Sequence, residues 1–208
     1  MYPHGLRALV YGVVMVSGTT PLSEGSGPAP RSRSSRKRWF IVLSVLVALF
    51  LLFVAASAYL FVWPPANRPH HVDAILSLNG PDEGSREARA VSLAEQGYAP
   101  VLLFSLGRSQ HVPCPVVPRV QVVCFVPSPG TTLGEVKWAS SYARAHGIHS
   151  LMIVPATAQA VRARFLAERC FKGQVSVVPA SQPAGEIPYN VVYEWAALTR
   201  AFVLYQNC

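Results

Sequence analysis

The stretch Val72-Asp73-Ala74-Ile75-Leu76-Ser77-Leu78-Asn79-Gly80 decides the fold. Its apolar core is too short for a helix and closes on Asn-Gly, a turn signal, so it reads as a buried strand. Outward from it the same grammar repeats. Gly84 to Gln96 reads as an amphipathic helix with Ala88, Val91, Leu93 and Ala94 on its apolar side and Gly97 as its C′ residue. Pro100 to Phe104 is a second apolar strand, running into Ser105-Leu106-Gly107, and Val120 to Phe125 is a third. Thr131 or Thr132 caps the next helix, with Glu135 three residues after Thr132 in a capping-box pattern, and Gly147 stops it after His146. Ser150 to Val154, a helix over Thr157 to Cys170, Gln174 to Val178 and a long helix over Ile187 to Tyr205 complete the chain. Short, continuously apolar strands alternating with helices predict a Rossmann-like α/β three-layer sandwich on a mostly parallel five-stranded sheet.

Upstream lies a different kind of segment. Phe40 to Val62 runs 23 residues without a charge, roughly 34 Å as a helix and enough to cross a hydrocarbon core of ~30 Å. Trp39 and Trp63 bracket it as interfacial aromatics do, and Arg31, Arg33, Arg36, Lys37 and Arg38 precede it. Because Arg and Lys stay on the cytoplasmic side, this predicts a plasma-membrane protein with a cytoplasmic N-terminus and an extracytoplasmic C-terminal domain. The rival reading is a cleaved signal peptide, for which Ala56-Ser57-Ala58 fits the cleavage pattern. The apolar stretch is longer than the ~7 to 15 residues usual for such a signal. The expected organisation is a disordered basic tail over 1–38, a transmembrane helix over 39–63, a Pro-rich linker over 64–71 and the α/β domain over 72–208.

The formal net charge of +8 is a topology signal rather than a nucleic-acid footprint. Six basic residues and one acidic residue lie before Trp39, so about +5 of the charge flanks the apolar run. The remainder forms no stripe and has no aromatic interleaving, which argues against nucleic acid as a partner. All 4 cysteines, Cys114, Cys124, Cys170 and Cys208, follow the apolar run. In an oxidising compartment they invite disulfides; of the three possible pairings, Cys114–Cys124 and Cys170–Cys208 are favoured, with free buried thiols as the alternative. No metal site is implied, since the histidines are scattered and no C-x-x-C or H-E-x-x-H spacing occurs, and the cofactor is left open.

In a doubly wound sheet, ligands bind beyond the carboxyl ends of the strands. The candidates are therefore Asn79, Gly80, Asp82 and Arg86 after the first strand, Ser105, Gly107 and Arg108 after the second, Thr131, Thr132 and Glu135 after the third, and Thr157, Gln159 and Arg162 after the fourth. Helix N-termini and guanidinium groups in that position suit an anionic or nucleotide-like ligand. Each element also has a structural reading: Asn79-Gly80 as a plain turn, Thr132 and Glu135 as a cap, Arg162 as part of a solvated face. No catalytic triad pattern or general base stands out.

The order of these segments resembles the SanA/ElyC/YdcF-type family of bacterial envelope proteins, a domain of unknown function, over about Val72 to Tyr205. The resemblance rests on Leu78-Asn79-Gly80, Gly97-Tyr98-Ala99-Pro100, Ser105-Leu106-Gly107, Thr131-Thr132-Leu133-Gly134-Glu135 and Val154 to Ala163. It implies a membrane-anchored domain acting in cell-envelope or cell-wall biogenesis on an anionic or lipid-linked precursor. Arg86 and Arg162 would hold the charge, Thr132 the oxygens, and Glu135 would orient a neighbour. The chain departs from the family pattern at four places: the first and second Gly pairs are each reduced to one Gly, the Thr-Ser pair is Pro155-Ala156, and the family's His is Gln159. An amide cannot carry a proton near neutral pH as imidazole does, so binding survives this change more readily than catalysis. The competing expectations are a hydrolase or transferase acting on a nucleotide or phosphate ester, and an interaction module without catalysis.

Overall fold

The computed structural model describes residues 33–80, 85–107, 113–205 and 207–208. Most of the predicted basic tail, together with Asp82 and Arg108, lies outside the described residues. The chain divides into two units, residues 1–44 and 45–208. The described part of the first is the beginning of a helix, α1 (Arg33–Ser57). The helix starts at Arg33, so the end of the segment expected to be disordered is helical instead. No Pro or Gly interrupts the sequence there, and extending a nucleated helix adds one hydrogen bond per residue.

Residues Arg36–Val62 are long and apolar enough to cross a membrane. The last five of them, Ala58–Val62, widen into a π-helical turn that closes with Trp63 N–H donating to the Ala58 carbonyl at 2.9 Å. Pro64 and Pro65 follow, and they end the helix because neither has an N–H to donate.

The second unit is built on five parallel strands, β1 (Ala74–Ser77), β2 (Val101–Ser105), β3 (Gln121–Phe125), β4 (Ser150–Val154) and β5 (Gln174–Val177), in the order β3-β2-β1-β4-β5. Helices α2 (Ser85–Glu95), α3 (Thr132–His146), α4 (Ala160–Cys170) and α5 (Ile187–Leu204) connect or follow them. The sheet is all parallel and doubly wound. Alternate residues of each strand face opposite layers, as pleating requires. Ala74, Leu76, Leu103, Leu151 and Ile153 pack with α3 and α4 residues such as Val136 and Leu166. Ile75, Leu102, Phe104, Met152 and Val154 pack with Ala90 and Leu93 of α2. Most of these side chains are fully buried, and each large one contributes roughly 1.5–3 kcal/mol.

Between β2 and β3 no helix is found among the described residues. Val117 of this connection fills the α2-side core, and the Cys114–Cys124 disulfide ties it to β3. The second disulfide joins Cys170 at the end of α4 to Cys208. Both are the favoured pairings.

The predicted linker is not a bare spacer. Asn67 N–H donates to the Val177 carbonyl (2.8 Å), and the Asn67 side-chain oxygen accepts from Val177 N–H (2.9 Å) and from Arg164 (2.7 Å). It thereby covers the open edge of β5 with hydrogen bonds that sequence order does not announce. Asp73, expected inside the first strand, precedes it. Its carboxylate accepts from the backbone N–H groups of His149 and Ser150, both at 2.8 Å, and these bonds hold its pKa below the ordinary carboxylate range.

The start of α3 also differs from expectation. Thr131 is the N-cap and accepts from Gly134 N–H at 3.3 Å, so Thr132 is the first helical residue and the Thr132–Glu135 capping box does not form. Both side chains turn inward instead and are buried. Gly134 is required at this turn because a Cβ there would collide with the Pro129 backbone carbonyl. Thr157–Gln159, expected as the first turn of the fourth helix, is a separate 3₁₀ turn.

Candidate functional site

β1 leads to β2 on one side of the sheet, and β3 crosses back to β4 on the other. The strand order therefore reverses between β1 and β4, and the connections leaving their carboxyl ends must part there. A cavity of ≈ 290 Å³ lies in this place. Asn79, Gly80 and Arg86 line it from the β1–α2 connection, Gly130 and Thr131 from the start of α3, and Ala158, Gln159 and Arg162 from the start of α4. In a parallel sheet every helix that follows a strand points its N-terminus at the carboxyl edge. Three positive helix ends consequently converge on one space.

The side chains around the cavity form one connected network. Arg86, buried in the first turn of α2, donates through Nη1 to the Asn79 carbonyl (2.8 Å) and to Gln159 Oε1 (3.0 Å). Gln159 Nε2 donates to Thr132 Oγ1 (2.8 Å), which also accepts from Arg162 Nη1 (2.8 Å). Arg162 Nε and Nη2 each donate to a carboxylate oxygen of Glu194 on α5, both at 2.7 Å. On the other flank, Asn79 N–H donates to Glu135 Oε1 at 2.7 Å. Two guanidinium groups and two carboxylates are thus linked through the Gln159 amide, the Thr132 hydroxyl and the Asn79 backbone.

Burial sets their proton affinities. It pushes the Glu135 carboxyl up to about 7, against the lowering effects of Asn79 N–H, the Ser105 hydroxyl, Arg86 and Arg162. Burial lowers Arg86. It would lower Arg162 too, but the bonds and charge of Glu194 outweigh it and raise that guanidinium.

Of the residues expected from sequence, Asn79, Gly80, Arg86, Thr131, Gln159 and Arg162 line the cavity. Thr132 and Glu135 stand one layer behind, joined to it through Gln159, Arg162 and Asn79. Ser105 is fully buried beside Glu135, and Gly107, at φ +62, packs against the Asn79 side chain. Neither is among the residues that line the cavity. The bidentate face of Arg162, expected to be open for phosphate, is occupied by Glu194.

One wall was not anticipated. Gln182, Glu186, Tyr189, Asn190, Tyr193 and Glu194, from the segment after β5, close the cavity. A signal was present in the sequence: Glu194 is the lone acid in a largely apolar helix, which marks a buried partner. That Arg162 is this partner, 32 residues away, follows only from the packing. Among the described residues no three His, Cys, Asp or Glu side chains gather to hold a metal ion. Compared with known proteins, the chain matches no family model, no curated protein and no solved structure.

Proposed function

We propose that this chain is a single-pass membrane protein whose α/β domain lies outside the cytoplasm and binds an anionic head group, that of a lipid-linked envelope precursor, in the cavity between β1 and β4. The observation that carries the reading is the convergence of three helix N-termini with Arg86 and Arg162 on one small cavity. At ≈ 290 Å³ it stands at the lower end of the ~300–1,000 Å³ range of small-molecule pockets. That volume suits a phosphorylated head group better than a whole dinucleotide. The basic cluster at the start of α1 supports a cytoplasmic N-terminus, and the two disulfides support an oxidising environment for the domain. The resemblance to SanA/ElyC/YdcF-type proteins supports the envelope role.

A second reading, an enzyme acting on a phosphate ester, draws on Glu135, whose pKa of about 7 matches that of a general acid or base at neutral pH. Its carboxyl stands behind Asn79 rather than in the cavity, and Gln159 cannot titrate, so binding is the better-supported function.

The test is a thermal-shift series on the full chain in detergent with inorganic phosphate, a nucleoside diphosphate, a sugar nucleotide and a polyprenyl phosphate. A ligand that binds only the folded form raises Tm by mass action. The expected result is a rise with the polyprenyl phosphate that is lost in Arg86→Gln. Failure of all four to move Tm, or an equal shift in the variant, overturns the proposal.

A further inference from the structure

Helix α5 has the composition of a buried helix but not its surroundings. Of its 18 residues only Glu194 and Arg200 carry charge, and Glu194 is turned inward. The outward stripe at helical spacing is Tyr189, Val192, Tyr193, Ala196 and Val203, with Arg200 inside it. Val192 is 73% exposed, Tyr189 71% and Val203 61%. A surface helix of a domain surrounded by water carries charged residues on that side.

Its neighbours say what covers the stripe. Trp195, on one flank of α5, stacks on Phe53 (5.5 Å) and meets Phe61 edge-on (5.3 Å), while its Nε1 donates to Ser57 Oγ at 2.9 Å. Phe53, Ser57 and Phe61 all belong to the span Arg36–Val62. Trp195 therefore seats α5 directly against the last third of that span, from Phe53 to Phe61. The opposite flank of α5 carries Asn190 and Glu194, which line the cavity, and Tyr189 and Tyr193 belong to both cavity and stripe.

We infer that α5 is an interfacial helix that lies on the lipid bilayer beside the anchor, with Tyr189, Val192, Tyr193 and Val203 among the acyl-chain ends and head groups, and that the mouth of the cavity therefore opens at head-group level. A helix of this kind sinks about 5–10 Å into the boundary region. Tyr suits that depth, with an apolar ring and a polar tip, and Arg200 meets anionic head groups. The inference rests on the anchor crossing the membrane but not on any particular ligand. It explains how the domain would reach a lipid-attached head group without drawing the lipid out of the bilayer.

The test uses the full chain reconstituted into vesicles of phosphatidylcholine and phosphatidylglycerol, with no ligand added. All four native cysteines are in disulfides, so Val192→Cys, Val203→Cys and Glu95→Cys each supply one thiol for an environment-sensitive fluorophore. Flotation with the vesicles checks the anchor separately, and the readout does not depend on what the cavity binds. The expected result is blue-shifted emission at 192 and 203, quenched roughly two-fold or more by lipids carrying a nitroxide near the head group, with neither effect at 95. Emission at 192 and 203 that matches 95 overturns the inference. So does a blue shift that nitroxide lipids leave untouched and that disappears when the protein is diluted in excess lipid, since a second copy would then be what covers α5.

Discussion

Arg162 and Glu194 meet as a bidentate ion pair with both contacts at 2.7 Å, and only 11% and 5% of their side-chain surfaces are exposed. The pair fastens α5 to α4 and forms part of the cavity wall at the same time. A buried pair is costly to break on one side because the remaining charge is left without a partner. Glu194→Ala should lower stability by about 3–5 kcal/mol. Arg162→Met combined with Glu194→Leu should cost clearly less than the two single changes added together. Denaturant unfolding of all four proteins in detergent provides the cycle. Additive costs would show that the pair is not coupled.

Glu135 makes stability depend on pH. Its ordinary value of 4.5 is raised to about 7 in the folded protein, so between these values the folded state holds a proton that the unfolded state has released. Stability is therefore greatest at the acid end of that window and falls as pH rises towards 7, by about 3 kcal/mol in the limit. Glu135→Gln retains an oxygen to accept from Asn79 N–H and removes the titration. The variant should melt roughly 5–10 °C above the parent at pH 8 and close to it at pH 5. Parallel melting of the two proteins at both pH values would count against a raised Glu135.

Gln159 bridges Arg86 and Thr132 by accepting at Oε1 and donating at Nε2. In Gln159→His a neutral imidazole can perform both roles, one at each ring nitrogen, but an imidazolium presents only donors and would face the Arg86 guanidinium. The folded state then disfavours the charged ring and depresses its pKa. Stability should hold above the ordinary histidine value of about 6.5 and decline below it. Melting curves between pH 5 and pH 8, with the parent's own pH dependence subtracted, measure this. A variant that grows more stable on acidification relative to the parent would show that the bridge is not formed.

The two disulfides close loops of different length, with sequence separations of 10 and 38 residues. On loop-closure entropy alone, Cys114–Cys124 stabilises by about 3 kcal/mol and Cys170–Cys208 by about 4 kcal/mol. Cys208→Ser with Cys170→Ser should therefore lower Tm more than the corresponding change at Cys114 and Cys124. Mass spectrometry after alkylation, with and without reductant, confirms the pairing in protein taken from cells.

The order and type of the elements were legible because each depends on nearby residues. Ser150–Val154 is apolar at every position but its first and has no room to be a helix, and Gly147, at φ +66, stops α3 where no side chain is easily accommodated. The length of Phe40 to Val62 and the absence of charge within it likewise need no partner to be read. That a cavity would open at the carboxyl ends of the strands was expected from sequence; that it opens between β1 and β4 needed the strand order. The chain alone thus determined a doubly wound α/β domain behind a membrane-length apolar helix. Packing determined the rest. Whether Thr132 and Glu135 cap a helix or turn inward depends on the backbone of Pro129 and Asn79. Whether Arg162 faces solvent or pairs depends on α5, which returns to it from 32 residues away. Hydrogen bonds and ion pairs fall off over a few ångströms, so a charge's role is set by its spatial neighbours, and these exist only once the sheet has brought distant segments together.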